Sequence, residues 1–323
     1  MIRKFAALAI TLSVLMFPVV TFTGVRADDA KVTLENSTGG RNEKLSVDLI
    51  HSGGEYKTVI YDSDDGLASS EANSIAETSD GFIWVGGYSG LARYDGADFE
   101  TIELPPDLLS INALYVDSKD RLWIATNTGG VALMVNDGFT VWNDVSGLRS
   151  ESVRDVIEDD SGLIYVATTS GIAVIDGDMD LTVIDDERLV DCFVQNFRKD
   201  NYGRIYALTN SGEIFMLRDG KVEQYLRVED PRISVVNCIL PDPEDEGYLY
   251  IGTAQGAVFR GNYDGGLEES ELLYTSKLMT GVNAWNILTA SYSCAHRTVS
   301  AWSTVTRCMF RPTYRYTAIL WAT

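Results

Sequence analysis

Histidine is almost missing from this chain: 323 residues include two, His51 in a Gly-bearing leader and His296 in the C-terminal tail. A His-based triad or a multi-His metal site cannot be assembled from the long middle of the sequence. Cysteine is scarce as well, with Cys294 and Cys308 in the tail and only Cys192 and Cys238 elsewhere. Those two lack metal-ligand spacing, and a bridge between them is open without being specified. Basic residues are few, 26 Lys and Arg against 47 Asp and Glu. Residues 28 to 277 hold 19 of the basic and all 47 of the acidic residues, a balance of -28. Such a body repels phosphate backbones and anionic lipid heads, which excludes nucleic acid as a partner and leaves cations or polycations as a default only.

No apolar run beyond the N-terminus is long enough to span a bilayer. At the N-terminus, Arg3 and Lys4 precede an apolar stretch from Phe5 to Val20 that Pro18 interrupts. Val25-Arg26-Ala27 then supplies small or aliphatic residues where a signal peptidase reads them. The expectation is a signal peptide over 1–27, a mature start at Asp28, a leader over 28–55, and an exported chain, periplasmic or extracellular. An uncleaved anchor is the alternative, but the stretch falls short of the roughly 20 apolar residues a span needs.

A repeat organises the middle of the chain. The segment from Asp80 to Leu91, DGFIWVGGYSGL, recurs at Lys119 to Val131, Ser161 to Ile172, Tyr202 to Ile214 and Glu246 to Val258. The aromatic anchors Trp84, Trp123, Tyr165, Tyr206 and Tyr250 lie 39, 42, 41 and 44 residues apart, and Gly90, Gly130, Gly171, Gly212 and Gly256 march with them. Each unit reads as four short strands. In the first, Asn73 to Glu77, Phe82 to Gly86, Leu91 to Tyr94 and Phe99 to Ile102 are separated by turns. Asp-Gly recurs at the third turn, at Asp95-Gly96, Asp137-Gly138, Asp176-Gly177 and Asp219-Gly220, because tight hairpins need residues that tolerate positive φ. Forty-odd residues of four-stranded antiparallel sheet is the size of a β-propeller blade, and a large flat side chain suits the gap between stacked blades. The predicted fold is therefore an all-β propeller with five recognisable blades and the opening of a sixth at Gly281-Val282-Asn283.

Gly66-Leu67, a short strand, Asp-Gly, Ile-Trp-Val-Gly, Gly-Leu and Tyr-Asp-Gly together resemble the two-component regulator propeller repeat. The resemblance covers roughly Tyr56 to Lys277, with Tyr in place of Trp in the later units. It implies the exported sensing region of a bacterial histidine kinase or diguanylate cyclase, here without a second membrane helix or an output domain. WD repeats fit less well, since Gly-His and terminal Trp-Asp marks are missing.

From Leu278 onward the chain has no Asp or Glu, yet it carries three of the six Trp and two of the four Cys. The register is lost past Ala284, which suits a shifted reading frame or a gene-model error over 278–323 better than a functional tail. Tyr56 to Tyr61 followed by Asp65-Gly66-Leu67 matches Phe139 to Trp142 followed by Ser146-Gly147-Leu148. The strand from Tyr56 is therefore expected to be the outer strand of a final blade, and, with the C-terminal register gone, to find no sheet to join.

Catalytic chemistry is poorly supplied, and neither cofactor nor metal is expected. Asp62-Ser63-Asp64-Asp65-Gly66 places its Gly one position early for a calcium loop and has no downstream Glu. The acidic clusters at Asp62 to Asp65, Asp176 to Asp180 and Asp242 to Glu246 read as solvated turn residues. Propellers use the channel mouth, where loops joining the second and third strands converge. There the chain places Tyr88 and Ser89, Asn127 and Thr128, Thr169 and Ser170, Asn210 and Ser211, and Ala254 and Gln255. These side chains could hydrogen-bond a polar ligand, with Tyr88 stacking on it, although plain turn chemistry favours the same residues. Two functions follow: a non-catalytic sensor module binding a small polar ligand or a partner ectodomain, or a secreted propeller enzyme acting on a sugar or lactone. The sensor is favoured by the lack of His in the blades. In a full-length protein it would reach the membrane through an anchor or an uncleaved signal, and a homodimer is open.

Overall fold

The computed structural model describes residues 61–275, apart from 69–70, 136–137, 231, 234 and 268–269, together with two-residue strands at Thr58–Val59 and Ala318–Ile319. The expected signal peptide, the leader with His51, the expected opening of a sixth blade and His296, Cys294 and Cys308 of the tail lie outside the described residues.

Alternating apolar runs and turn residues fold into five four-stranded antiparallel sheets, each in chain order. Blade 1 comprises Ser74–Glu77, Ile83–Gly87, Gly90–Tyr94 and Phe99–Ile102. Blade 2 comprises Ile111–Val116, Leu122–Thr126, Val131–Val135 and Gly138–Trp142. Blade 3 comprises Val153–Glu158, Ile164–Thr168, Gly171–Ile175 and Leu181–Val183. Blade 4 comprises Val194–Lys199, Ile205–Thr209, Glu213–Arg218 and Lys221–Arg227. Blade 5 comprises Val236–Pro241, Tyr248–Thr253, Ala257–Asn262 and Glu271–Thr275. First strands of successive blades touch one another and form an inner wall. The fold is all-β and propeller-like, as the repeat required.

The second strand of blades 1 to 4 is buried along its whole length; in blades 2 to 4 neighbouring blades cover both of its faces. That explains its unbroken apolar run in place of an alternating one. The first-blade fourth strand is half-buried at Phe99 and Ile102 and exposed at Glu100 and Thr101 between them. The anchors of blades 1 to 4 point at the following blade. Trp84 packs with Ile111, Leu114 and Ile124 of blade 2, Trp123 with Val153, Val156 and Ile164 of blade 3, Tyr165 with Phe197 and Phe215 of blade 4, and Tyr206 with Ile239, Phe259 and Tyr263 of blade 5. Asp219 and Gly220 both have positive φ, as the tight hairpin requires.

The segment ahead of blade 1 repeats the geometry of a blade-to-blade connection. Asp65 N donates to Asp62 O and Gly66 N to Ser63 O, as Ser146 N does to Asn143 O and Gly147 N to Asp144 O. Gly66 and Gly147 share a φ of 101° and approach equivalent fourth-strand residues, Phe99 and Leu181. Tyr61 packs on Tyr94 and Phe99 of blade 1. Tyr61 to Leu67 therefore sits on blade 1 as Trp142 to Leu148 sits on blade 3. One expectation is corrected: Thr58–Val59 does have a strand partner, pairing in parallel with Ala318–Ile319, where backbone groups of both segments answer one another. Cys192 and Cys238 are not bridged.

Candidate functional site

The five loops joining second and third strands lie at one end of the blades, and their polar side chains largely serve the loops. A buried Thr ends the second strand in blades 2 to 5 and closes the turn with its hydroxyl. Thr126 donates to Gly130 O, Thr168 to Gly171 O and Thr253 to Ala257 O, while Thr209 accepts from Glu213 N. Thr128 Oγ1 donates to Asp107 O at 3.2 Å, Ser170 Oγ to Asp191 at 3.2 Å and Ser211 Oγ to Glu213 at 2.9 Å. Thr169 pairs with Ser150 at 2.7 Å. Asn127 Oδ1 accepts from Ser152 Oγ at 3.0 Å, which draws two adjacent loops together. The N–H groups of Asn127, Thr169, Asn210 and Ala254 donate to the carbonyl preceding an inner strand. Tyr88 and Ser89 are exposed on blade 1, and Gln255 is exposed on blade 5.

A second set escaped the sequence analysis. Asp117, Asp159, Asp200 and Asp242 directly follow the first strands of blades 2 to 5, and all are buried. Each holds the polar tip of its own blade's anchor. Trp123 Nε1 donates to Asp117 at 2.8 Å, and the Tyr165 and Tyr206 hydroxyls donate to Asp159 and Asp200 at 3.3 Å. In blade 1, Thr78 Oγ1 takes the place of the carboxylate and accepts from Trp84 Nε1 at 3.0 Å. The other carboxylate oxygen ties the turn through backbone N–H groups, as Asp200 does with Tyr202 and Arg204. Reading Asp242 as a solvated turn residue is therefore corrected: it is 4% exposed, bonded by Arg260 Nε at 2.7 Å and by Tyr250. Burial pushes its carboxyl up, yet the Glu244 N–H and these partners outweigh burial and hold it below the usual carboxylate range. Burial also raises the Tyr165 phenol to about 12 and the Cys192 thiol to about 11, so both stay protonated at neutral pH.

The inner wall offers the less committed chemistry. Along the first strands of blades 2 to 4 every third residue is buried between blades, such as Val153 and Val156, and the residues between them are half-buried. A bulge at the second residue leaves Asn112, Arg154, Gln195 and Asn237 outside the ladder. Where the repeat is regular, wall side chains stitch one blade to the next. Asn73 Nδ2 donates to Ile111 O at 2.8 Å, and Asn112 Nδ2 to Val153 O at 2.7 Å. One position later, Ser74 Oγ accepts from Leu114 N at 2.9 Å and Asp155 Oδ2 from Phe197 N at 2.8 Å. Desolvation raises the Asp155 carboxyl, opposed by Arg198. The stitch is missing at Ala113, Arg154, Gln195 and Asn196. Arg154 Nε and Asn196 Oδ1 are the two buried side-chain polar atoms without a partner among the described residues. The Arg154 guanidinium lies 5.6 Å from the centre of the Phe193 ring.

No His, Cys, Asp or Glu grouping among the described residues could hold a metal ion. An open cleft of ≈ 650 Å³ lies at the outer rim between blades 1 and 2, against Ile102, Pro105, Pro106, Met134 and Phe139, and gathers none of the polar residues above.

Residues 66–89 and 106–128 match the two component regulator propeller family. Both stretches lead through the first two strands of a blade and include Trp84 and Trp123. The chain carries two-component regulator propeller repeats. These repeats are also similar in fold to solved structures. The extracellular domain of a hybrid two component system from B. thetaiotaomicron matches with a TM-score of 0.55 at 19% identity, over 71% of this chain and 32% of that one. This chain thus spans about a third of that domain. Virginiamycin B lyase from Staphylococcus aureus matches with a TM-score of 0.53 at 13% identity, over 64% of this chain and 71% of the lyase. A catalytically inactive His-to-Ala form of that lyase with quinupristin matches at 0.52 and 13%, over the same shares. No curated protein matches the chain in sequence. At these identities the likenesses show the fold.

Proposed function

We propose that the regulator propeller repeats form a non-catalytic, extracytoplasmic sensing module of a bacterial signal-transduction protein, of the histidine kinase or diguanylate cyclase type. The observation that carries this is the inner wall, where two adjacent repeats each leave a buried side-chain polar atom without a partner among the described residues. Occupancy by a small polar molecule would fix the spacing of neighbouring inner strands, and an attached signalling partner would read that change. Export follows the signal-like N-terminus and agrees with the similarity to an extracellular domain of a two component system. The enzyme alternative has the lyase propellers on its side as a fold. Against it, the catalytically inactive lyase is a His-to-Ala form, whereas the five blades here contain no His.

The test is a thermal-shift screen of the chain against sugars, sugar acids and hydroxy acids, with and without Ca²⁺, followed by product analysis of every hit. Saturable shifts with no turnover support the sensor. Metal-dependent turnover of any member overturns it, and so does the lack of any saturable shift.

A further inference from the structure

We propose that the wall site takes a small hydroxylated carboxylate, held by Arg154 through its carboxylate and by Asn196 through a neighbouring hydroxyl. This rests on the sensing function proposed above and names the ligand class of the same wall. The argument comes from the register of the repeat. Residues 73, 112, 154 and 195 occupy one repeat position, and 74, 113, 155 and 196 the next. At the first position Asn73 and Asn112 each donate to the first inner-strand carbonyl of the next blade. Arg154 replaces Asn there, and its Nε–H, buried, meets no acceptor among the described residues. At the second position Ser74 and Asp155 each accept the N–H of the residue that follows the equivalent position in the next blade, Leu114 and Phe197. Asn196 should accept from Ile239 by the same rule, but its Oδ1, buried, accepts from no described residue.

Gln195 and Ala113 lack the stitch too, but among the described residues only Arg154 and Asn196 leave a buried polar atom unpartnered, and these two sit on adjacent inner strands, in blades 3 and 4. One is a donor carrying full positive charge and the other a neutral acceptor, so together they ask for an acceptor with negative charge beside a hydroxyl donor. A carboxylate meets the planar guanidinium with charge-assisted bonds, and an adjacent hydroxyl supplies the donor. Phe193 under the guanidinium fixes its plane. Asp155 does not cancel the site's charge, because it lies with Arg198 and accepts from Phe197 and Val156. A buried polar atom left without a partner lowers stability, and such atoms persist where a function uses them.

The experiment uses the whole chain and three probes: gluconate, glucose as its uncharged counterpart, and acetate as a carboxylate without hydroxyls. Calorimetric titration should show gluconate binding at least tenfold tighter than glucose or acetate. Arg154→Met and Arg154→Lys should each weaken gluconate tenfold or more, and Asn196→Leu should weaken gluconate but leave acetate unchanged. Thermal melts separate this role from a structural one. Since Arg154 Nε has no hydrogen-bond partner to lose among the described residues, Arg154→Met should leave the Tm unchanged or raise it, whereas a structural arginine would lower it. Equal binding of glucose and gluconate, with Arg154→Met indifferent, overturns the carboxylate site while leaving a sensor of neutral ligands standing. Failure of all three probes to bind overturns the site too. A lowered Tm in Arg154→Met with affinity for gluconate retained would assign the residue to the fold and overturn the proposal.

Discussion

In blade 3 the anchor hydroxyl works in two directions. Tyr165 OH donates to Asp159 of its own blade and accepts from Gly220 N at the third turn of blade 4, at 2.7 Å. Tyr165→Phe keeps the ring and deletes both bonds, leaving Gly220 N–H with no acceptor there, and should cost about 1 to 3 kcal/mol in urea unfolding. Trp123→Ala removes a fully buried indole and should cost about 3 to 5 kcal/mol. The reverse order would mean that the anchors act by polarity more than by volume. Because burial lifts the Tyr165 phenol from 10.0 to about 12, its contribution is complete below pH 10 and is lost as pH rises towards 12. The alkaline limb of the stability profile should therefore be shallower in Tyr165→Phe than in the parent. The anchors were legible in the sequence because Trp and Tyr recur at a fixed spacing. Their acceptors were not: an Asp in a predicted turn looks the same whether water or an indole satisfies it, and only the packing of the next blade removes the water.

At the scale of the strand and turn, glycines at positive φ divide into two kinds. Gly96 has a φ of 99° and open space where a Cβ would stand, whereas a Cβ on Gly130, at a φ of 79°, would meet Trp142 O at 2.0 Å. Gly96→Ala should then cost only the conformational term, about 1 to 2 kcal/mol. Gly130→Ala adds a backbone collision and should cost about 4 kcal/mol or more, among the largest single-residue effects. Circular dichroism melts of the two variants check the contrast, and equal losses would show that the turn can shift to admit the methyl. Strand existence and turn chemistry were readable from residue type. The first blade's fourth strand, Phe99–Ile102, falls where the sequence predicts it, the first and third differ by a residue at one end, and the second is shifted by one residue. The inner-wall site was not readable, because its half-buried polar positions imitate an ordinary solvated strand face. The second-to-third-strand loops carry the more conspicuous polar residues, and several of these bond the connections between blades.

Across the whole arc, energetic coupling should follow blade adjacency, since each core cluster belongs to one pair of neighbouring blades. Trp84→Ala acts at the interface of blades 1 and 2 and Tyr206→Ala at that of blades 4 and 5, so their effects should add within about 0.5 kcal/mol. Trp123 and Trp142, stacked with centroids 5.4 Å apart, should instead show a coupling of about 0.5 to 3 kcal/mol in a double-mutant cycle. Strong coupling between the distant pair would reveal cooperativity transmitted through intact blades. The pairing of each anchor with an acceptor in its own blade also bears on how such a chain changes length. A stretch of about forty residues copied in tandem brings both partners of the bond with it, so an inserted blade arrives with its buried donor and acceptor already matched. Recombination that cuts between Asp117 and Trp123, or between Asp200 and Tyr206, would separate them and strand a carboxylate in the core. Duplication in units that begin ahead of the inner strand is therefore the tolerated step, and gain or loss of whole blades becomes the cheapest way for a lineage of these proteins to vary.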